Sequence, residues 1–175
     1  MAIRSFQGIT PKIGEQVFID DSALVLGDVS IGDQCSIWPM TTIRGDVNKI
    51  TIGKRTNIQD GCVCHVTHPY KGNPDGYALT VGDNVTVGHK VILHACTVSD
   101  NCLIGMGAIV MDGAIVQPYV LLGAGSLVAP GKELEGGYLW LGSPVRKIRL
   151  LSDAEIKWID YSANHYVDLK NKHLT

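Results

Sequence analysis

Aromatic residues are scarce in this 175-residue chain: they make up 6% of it, and Phe occurs only as Phe6 and Phe18. That excludes a core of stacked rings. Concentrated charge is lacking too. The net charge is -2, and no block of Lys or Arg could neutralise a phosphate backbone, so nucleic-acid binding has no support. No apolar run approaches the ~20 residues of a membrane span, and the opening segment lacks a signal peptide's apolar stretch. A cytoplasmic protein with no membrane partner is expected. Five cysteines, an odd count, argue against a disulfide framework. Cys62 and Cys64 stand too close together, and the set is too scattered, for a paired CxxC zinc module.

What is present is aliphatic and periodic. Hydrophobic residues make up 45% and charged ones 18%, with 20 Gly, as in a globular chain with a core of small and β-branched side chains. From Ile13, steps of six reach Ile19, Val25, Ile31, Ile37 and Ile43. After three extra residues come Ile52, Ile58 and Cys64. A longer insertion precedes Val81, Val87 and Leu93; one step of five then leads to Val98, Ile104, Val110, Val116, Leu122 and Val128. Of these 18 positions, 17 are Ile, Val or Leu.

A second column of small or β-branched residues lies four places on. It includes Val17, Ala23, Cys35, Val47, Cys62, Thr97, Cys102 and Ala114. Gly often follows the aliphatic residue directly, as at Gly32, Gly53, Gly82, Gly88, Gly105 and Gly123, and is read as relaxing tight turns. A period of six is neither helical nor simple alternation. It fits three hexads closing one triangular coil, aliphatic residues inward, stacked over six coils, with the repeat ending beyond Val128. Cys35, Cys62 and Cys102 fall in the small column and Cys64 in an inward slot, as buried packing residues; Cys96 has no assigned slot.

The expected organisation is a β-helix domain over 1–150, interrupted by a polar Pro/Gly loop near 66–80, and a C-terminal helix within 151–175. Ser152-Asp153-Ala154-Glu155 has capping-box spacing. Ile156, Ile159, Ala163 and Val167 form one stripe; Trp158, Tyr161 and His165 form another beside it.

His65 and His94 each follow the inward residue of a third hexad, in successive coils. Stacked strands lie roughly 4.8 Å apart, so the two side chains leave one face, one above the other, as a shared metal requires. His89 belongs to a middle hexad and faces another side. A threefold assembly would bring it to a neighbour's His65 and His94. Three imidazoles favour zinc, although Fe2+ or Co2+ suits the same ligands. His165 and His173 read as ordinary surface or hydrogen-bonded residues.

The repeat resembles the hexapeptide-repeat, left-handed β-helix. Arg44-Gly45-Asp46, Gln59-Asp60-Gly61, His65 and Val87-Gly88-His89 followed by His94 resemble the gamma-class carbonic anhydrase family, over nearly the whole chain. The resemblance implies an all-β left-handed β-helix with a C-terminal α-helix, and a homotrimer with zinc at its subunit interfaces. It also implies reversible hydration of CO2 to bicarbonate by hydroxide generated at the metal. His65 and His94 would be ligands from one subunit and His89 from its neighbour. Gln59 would orient solvent or bicarbonate, with Arg44, Asp46 and Asp60 in a network that borders the site and holds the trimer.

The chain departs from the family prototype at its proton-handling groups. Val47 stands where the prototype has a Glu, and the loop's shuttle Glu is unmatched; His68 lies in that vicinity, and Tyr161 and Asn164 on the helix are the other groups placed to approach. Two rival readings follow. One is a hexapeptide acyltransferase or acyl-CoA-handling enzyme, since Gly142-Ser143-Pro144-Val145-Arg146-Lys147 resembles the tail of such enzymes. The other is a non-catalytic, metal-stabilised trimeric scaffold.

Overall fold

Each inward aliphatic residue lies directly above its counterpart one coil earlier in the computed structural model, which describes residues 3–174. Thus Val87 pairs with Ile58 and Ile104, and Leu93 with Cys64 and Val110, in parallel register. Three columns result. The first-hexad face carries Ile31, Ile52, Val81, Val98 and Val116. The middle face carries Ile37, Ile58, Val87, Ile104 and Leu122, and the third face Val25, Ile43, Cys64, Leu93, Val110 and Val128; all are buried. Each such aliphatic side chain contributes roughly 1.5–3 kcal/mol by burial. The middle face is an eight-stranded sheet. Strands Leu24–Ile31 and Thr42–Ile52 run round a corner and join the other two faces into a twelve-stranded sheet. The fold is a left-handed β-helix of hexapeptide repeats with one C-terminal helix.

Several local expectations need correction. The repeat does not end at Val128: Leu134, Trp140 and Val145 are buried and build a further coil. Trp140 pairs with Leu122, and the strand Arg146–Leu150 turns back antiparallel beside it. Val47 is exposed and does not occupy the small column. The three extra residues loop out between Gly45 and Ile50, so that Ile50 fills the slot opposite Val29. In the five-residue step the slot goes to Cys96, which is buried, while Thr97 faces outward beside Thr80 and Ile115.

The glycines after the inward residues also act differently from the expectation. Their role is close stacking: a Cβ on Gly105 would meet Ala124 N at 2.5 Å and Leu122 O at 2.6 Å. The left-handed conformation falls instead on the third residue after the inward one. It is carried by Arg55, Asn84 and Asn101 at one corner and by Gly61, Lys90 and Gly107 at another.

All five cysteines are buried free thiols. Burial pushes Cys35, Cys62, Cys96 and Cys102 up to about 12, and Cys64 well above its ordinary value. They pack; they do not ionise.

The helix spans Asp153–Asn171. Ser152 caps it, accepting from Glu155 N while the Glu155 carboxylate accepts from Ser152 N at 2.9 Å. Ile159, Ala163, Val167 and Lys170 are buried against the middle face, whereas Trp158 and Tyr161 remain exposed. No helix among the described residues is long and apolar enough to cross a membrane.

Candidate metal centre

The in-register pairing of strands Val63–His65 and Ile92–His94 sets His94 directly over His65. Their ring centroids are 5.2 Å apart, and His65 Nδ1 lies 3.2 Å from His94 Nε2. Each ring's other nitrogen meets a carboxylate. His65 Nε2 is 3.1 Å from Asp46 Oδ1, and His94 Nδ1 is 2.6 Å from Asp112 Oδ1. Metal-binding histidines are commonly oriented in this way, an acceptor on one nitrogen leaving the other's lone pair for the ion.

Asp46 reaches His65 because the three extra residues begin there. It also accepts from Arg44 Nη1 at 2.6 Å. Burial pushes Asp46 up, but hydrogen bonds from Arg44 and His65 outweigh it and hold its carboxyl below the ordinary value. Asp112 behaves alike: burial raises it, and hydrogen bonds from Thr67 and His94 bring it below the usual range. Burial lowers His65, opposed by the hydrogen bond to Asp46. At neutral pH His65 is therefore the neutral imidazole that a metal requires, donating from Nε2 to Asp46.

His89 stands apart from this pair. It follows the middle-face strand Thr86–Val87, and its Nδ1 is 2.9 Å from Asp60 Oδ2, with both side chains about half exposed. Among the described residues, no group of three or more His, Cys, Asp or Glu is placed to hold a metal within one chain. The single chain thus joins His65 to His94, with Arg44 and Asp46, and separately joins His89 to Asp60.

Gln59 shares a cleft with His89. Its Nε2 donates to Asn57 Oδ1 at 3.0 Å, and Asn57 Nδ2 donates to Thr86 Oγ1 at 3.0 Å. The cleft, about 480 Å³, runs between the middle face and the helix; Leu103, Met106, Trp158, Tyr161 and His165 supply much of its wall. Of the proposed proton-handling groups, Tyr161 lines this cleft, stacked on His165. Asn164 instead accepts a hydrogen bond from Arg55. His68 is exposed on the insertion beside Tyr70.

Asp112 was not singled out from the sequence. Its signal was positional: it lies 18 residues after His94, one coil further on.

Comparison with known proteins gives the family. The chain is 55% identical over 172 residues to Protein YrdA of Escherichia coli (strain K12), covering 98% of this chain and 94% of that one. It is 43% identical to the mitochondrial gamma carbonic anhydrase 2 of Arabidopsis thaliana, covering 94% of this chain and 59% of that protein. The chain belongs to the gamma carbonic anhydrase-like family. Residues 10–45 match the family described as bacterial transferase hexapeptide (six repeats). Among solved structures, a Bacillus cereus protein described as a putative acetyltransferase superposes with a TM-score of 0.91 at 40% identity, covering 98% of this chain and 95% of that one. A protein described as a putative acetyltransferase thus shares this chain's β-helix.

Proposed function

We propose that the protein is a gamma carbonic anhydrase-like zinc protein that interconverts CO2 and bicarbonate, working as a trimer with sites shared between protomers. The observation that carries this reading is the 3.2 Å approach of His65 Nδ1 to His94 Nε2, with Asp46 and Asp112 on the opposite ring nitrogens. Two nitrogens at tetrahedral positions, each ~2.0–2.1 Å from one zinc, stand about 3.3 Å apart. The donor set fits. The neighbour's His89, steadied by Asp60, completes it, and Fe2+ or Co2+ would suit the same three imidazoles.

Zinc, when bound, brings the pKa of water toward ~7, as is general for carbonic anhydrases, and so supplies a nucleophile near neutral pH. The chain's own residues do the rest. Gln59, with one amide hydrogen on Asn57, has its other hydrogen and its carbonyl to orient solvent or bicarbonate. Leu103, Met106 and Trp158 give uncharged CO2 an apolar wall beside Gln59 and His89. Arg44 and Asp46 hold the His65 ring. Val47 has no proton to exchange, so proton release depends on solution buffer or on His68 and Tyr161.

Stopped-flow CO2 hydration by zinc-loaded protein tests this reading. Zinc-dependent turnover that rises with imidazole buffer and falls on the order of 10²-fold in Gln59→Ala is expected. Stoichiometric zinc with hydration no faster than buffer would remove the reaction and leave the scaffold reading.

Acyl transfer has one observation in its favour. The His89 cleft, at about 480 Å³, is wider than CO2 needs and largely apolar, which suits an acyl chain with His89 as general base. Acyl-CoA turnover that survives removal of metal by chelation would favour that reading.

A further inference from the structure

The insertion at 66–77 ends its polar backbone pairing on the same corner as a metal-ligand candidate. Thr67 N donates to Tyr77 O and Tyr77 N to Thr67 O, both at 3.0 Å, closing the loop at its base. Asn48 Nδ2 donates to Thr67 O at 3.2 Å and to Asp75 O at 2.9 Å, tying both ends of the loop to the looped-out residues that follow Gly45. The Tyr77 ring covers Gly113, where a Cβ would lie 3.2 Å from its edge. The residue before Gly113 is Asp112. Its Oδ1 accepts from His94 Nδ1 at 2.6 Å, and its Oδ2 accepts from the Thr67 hydroxyl.

We propose that Asp112 is a positioning residue for His94, and that the insertion fixes Asp112 through Thr67. The inference rests on the metal-site reading above, which places Asp112 on the outer nitrogen of His94, and goes beyond it in tying that carboxylate to the insertion. Both oxygens of this carboxylate are committed, one to the imidazole and one to the loop, so the acceptor cannot swing away from the ring. The bond to Nδ1–H selects the tautomer whose lone pair is on Nε2, the nitrogen that faces His65. It also raises the electron density that the ring offers a cation. The two adjacent histidines then have matching supports: Arg44 holds Asp46 behind His65, and Thr67 holds Asp112 behind His94. Thr67 makes the insertion part of the ligand scaffold rather than a surface decoration.

Asp112→Ala, Asp112→Asn and Thr67→Val test this with two readouts on the full-length protein. The first is ¹⁵N NMR of histidine-labelled, metal-free protein, which reads the His94 tautomer. The second is zinc affinity by competition with a chromophoric chelator. Wild type should show Nδ1–H at His94. Asp112→Ala should lose that tautomer and weaken zinc about 10–100-fold. Asp112→Asn keeps an acceptor and should recover part of the loss, and Thr67→Val should move both readouts less, in the same direction. Unchanged tautomer and affinity in Asp112→Ala would overturn the proposal. Should Asp112→Ala fail to fold, Thr67→Val alone decides by the same criteria. Wild type that binds no zinc would remove the metal reading, while the tautomer shift would still report whether Asp112 positions His94.

Discussion

His65 Nδ1 and His94 Nε2 face each other across 3.2 Å on adjacent coils, each ring steadied from behind by its own carboxylate. The coil-to-coil register alone brings the rings together. Their orientation comes from outside the repeat: Asp46 enters through three extra residues, and Asp112 is fixed from the insertion through Thr67.

Two glycines two residues apart should respond to alanine for different reasons. Gly107 has φ +67 and nothing within 4 Å of a built Cβ, so Gly107→Ala should cost about 1–2 kcal/mol, the left-handed penalty alone. Gly105→Ala drives a methyl into the backbone of Ala124 and Leu122 and should lower the thermal midpoint clearly more. Equal midpoints in the two variants would contradict the assignment of close stacking to Gly105.

The folded protein should resist thiol reagents. With four thiols pushed up to about 12 by burial and Cys64 higher still, the thiolate fraction at pH 8 is negligible. A disulfide-exchange dye should label none of the five in native buffer and all five in denaturant. Rapid labelling of native protein would show a column that opens.

The helix cap should be acid-sensitive. Arg149, with the Ser152 backbone and hydroxyl, holds Glu155 at about 2 rather than 4.5. A folded-state pKa below the unfolded one stabilises above about 4.5 and is lost as pH falls toward about 2. The gap in thermal midpoint between wild type and Glu155→Gln should therefore be widest near neutrality and narrow below pH 4.5. A gap that widens on acidification would contradict this.

Much of the fold was legible because a period of six constrains every coil alike: an inward residue pairs with the next inward residue whatever its identity. Two of the three interruptions are where the spacing assigns the wrong residue to a slot. Val47 and Thr97 were counted into the small column by spacing, yet an extra or missing residue is absorbed locally, and Ile50 and Cys96 fill those slots. The last coil is hard to read from the period because Leu134 is its one regular aliphatic position: Trp140 stands in the next slot, and a step of five leads to Val145. His65 and His94 could be paired from the repeat. Asp112 could not, because its role depends on Thr67, a contact across 45 residues set by the packing of the loop.

Complementation between inactive protomers tests the shared metal site most directly. His89→Ala and His65→Ala protomers, each purified, should bind no zinc alone. Unfolded and refolded together, they should form mixed trimers with one intact site, which joins His65 and His94 of the first variant to His89 of the second. Zinc recovered only in the mixture is the predicted result. Zinc retained by His89→Ala alone, or no zinc in verified mixed trimers, would contradict a site shared between protomers.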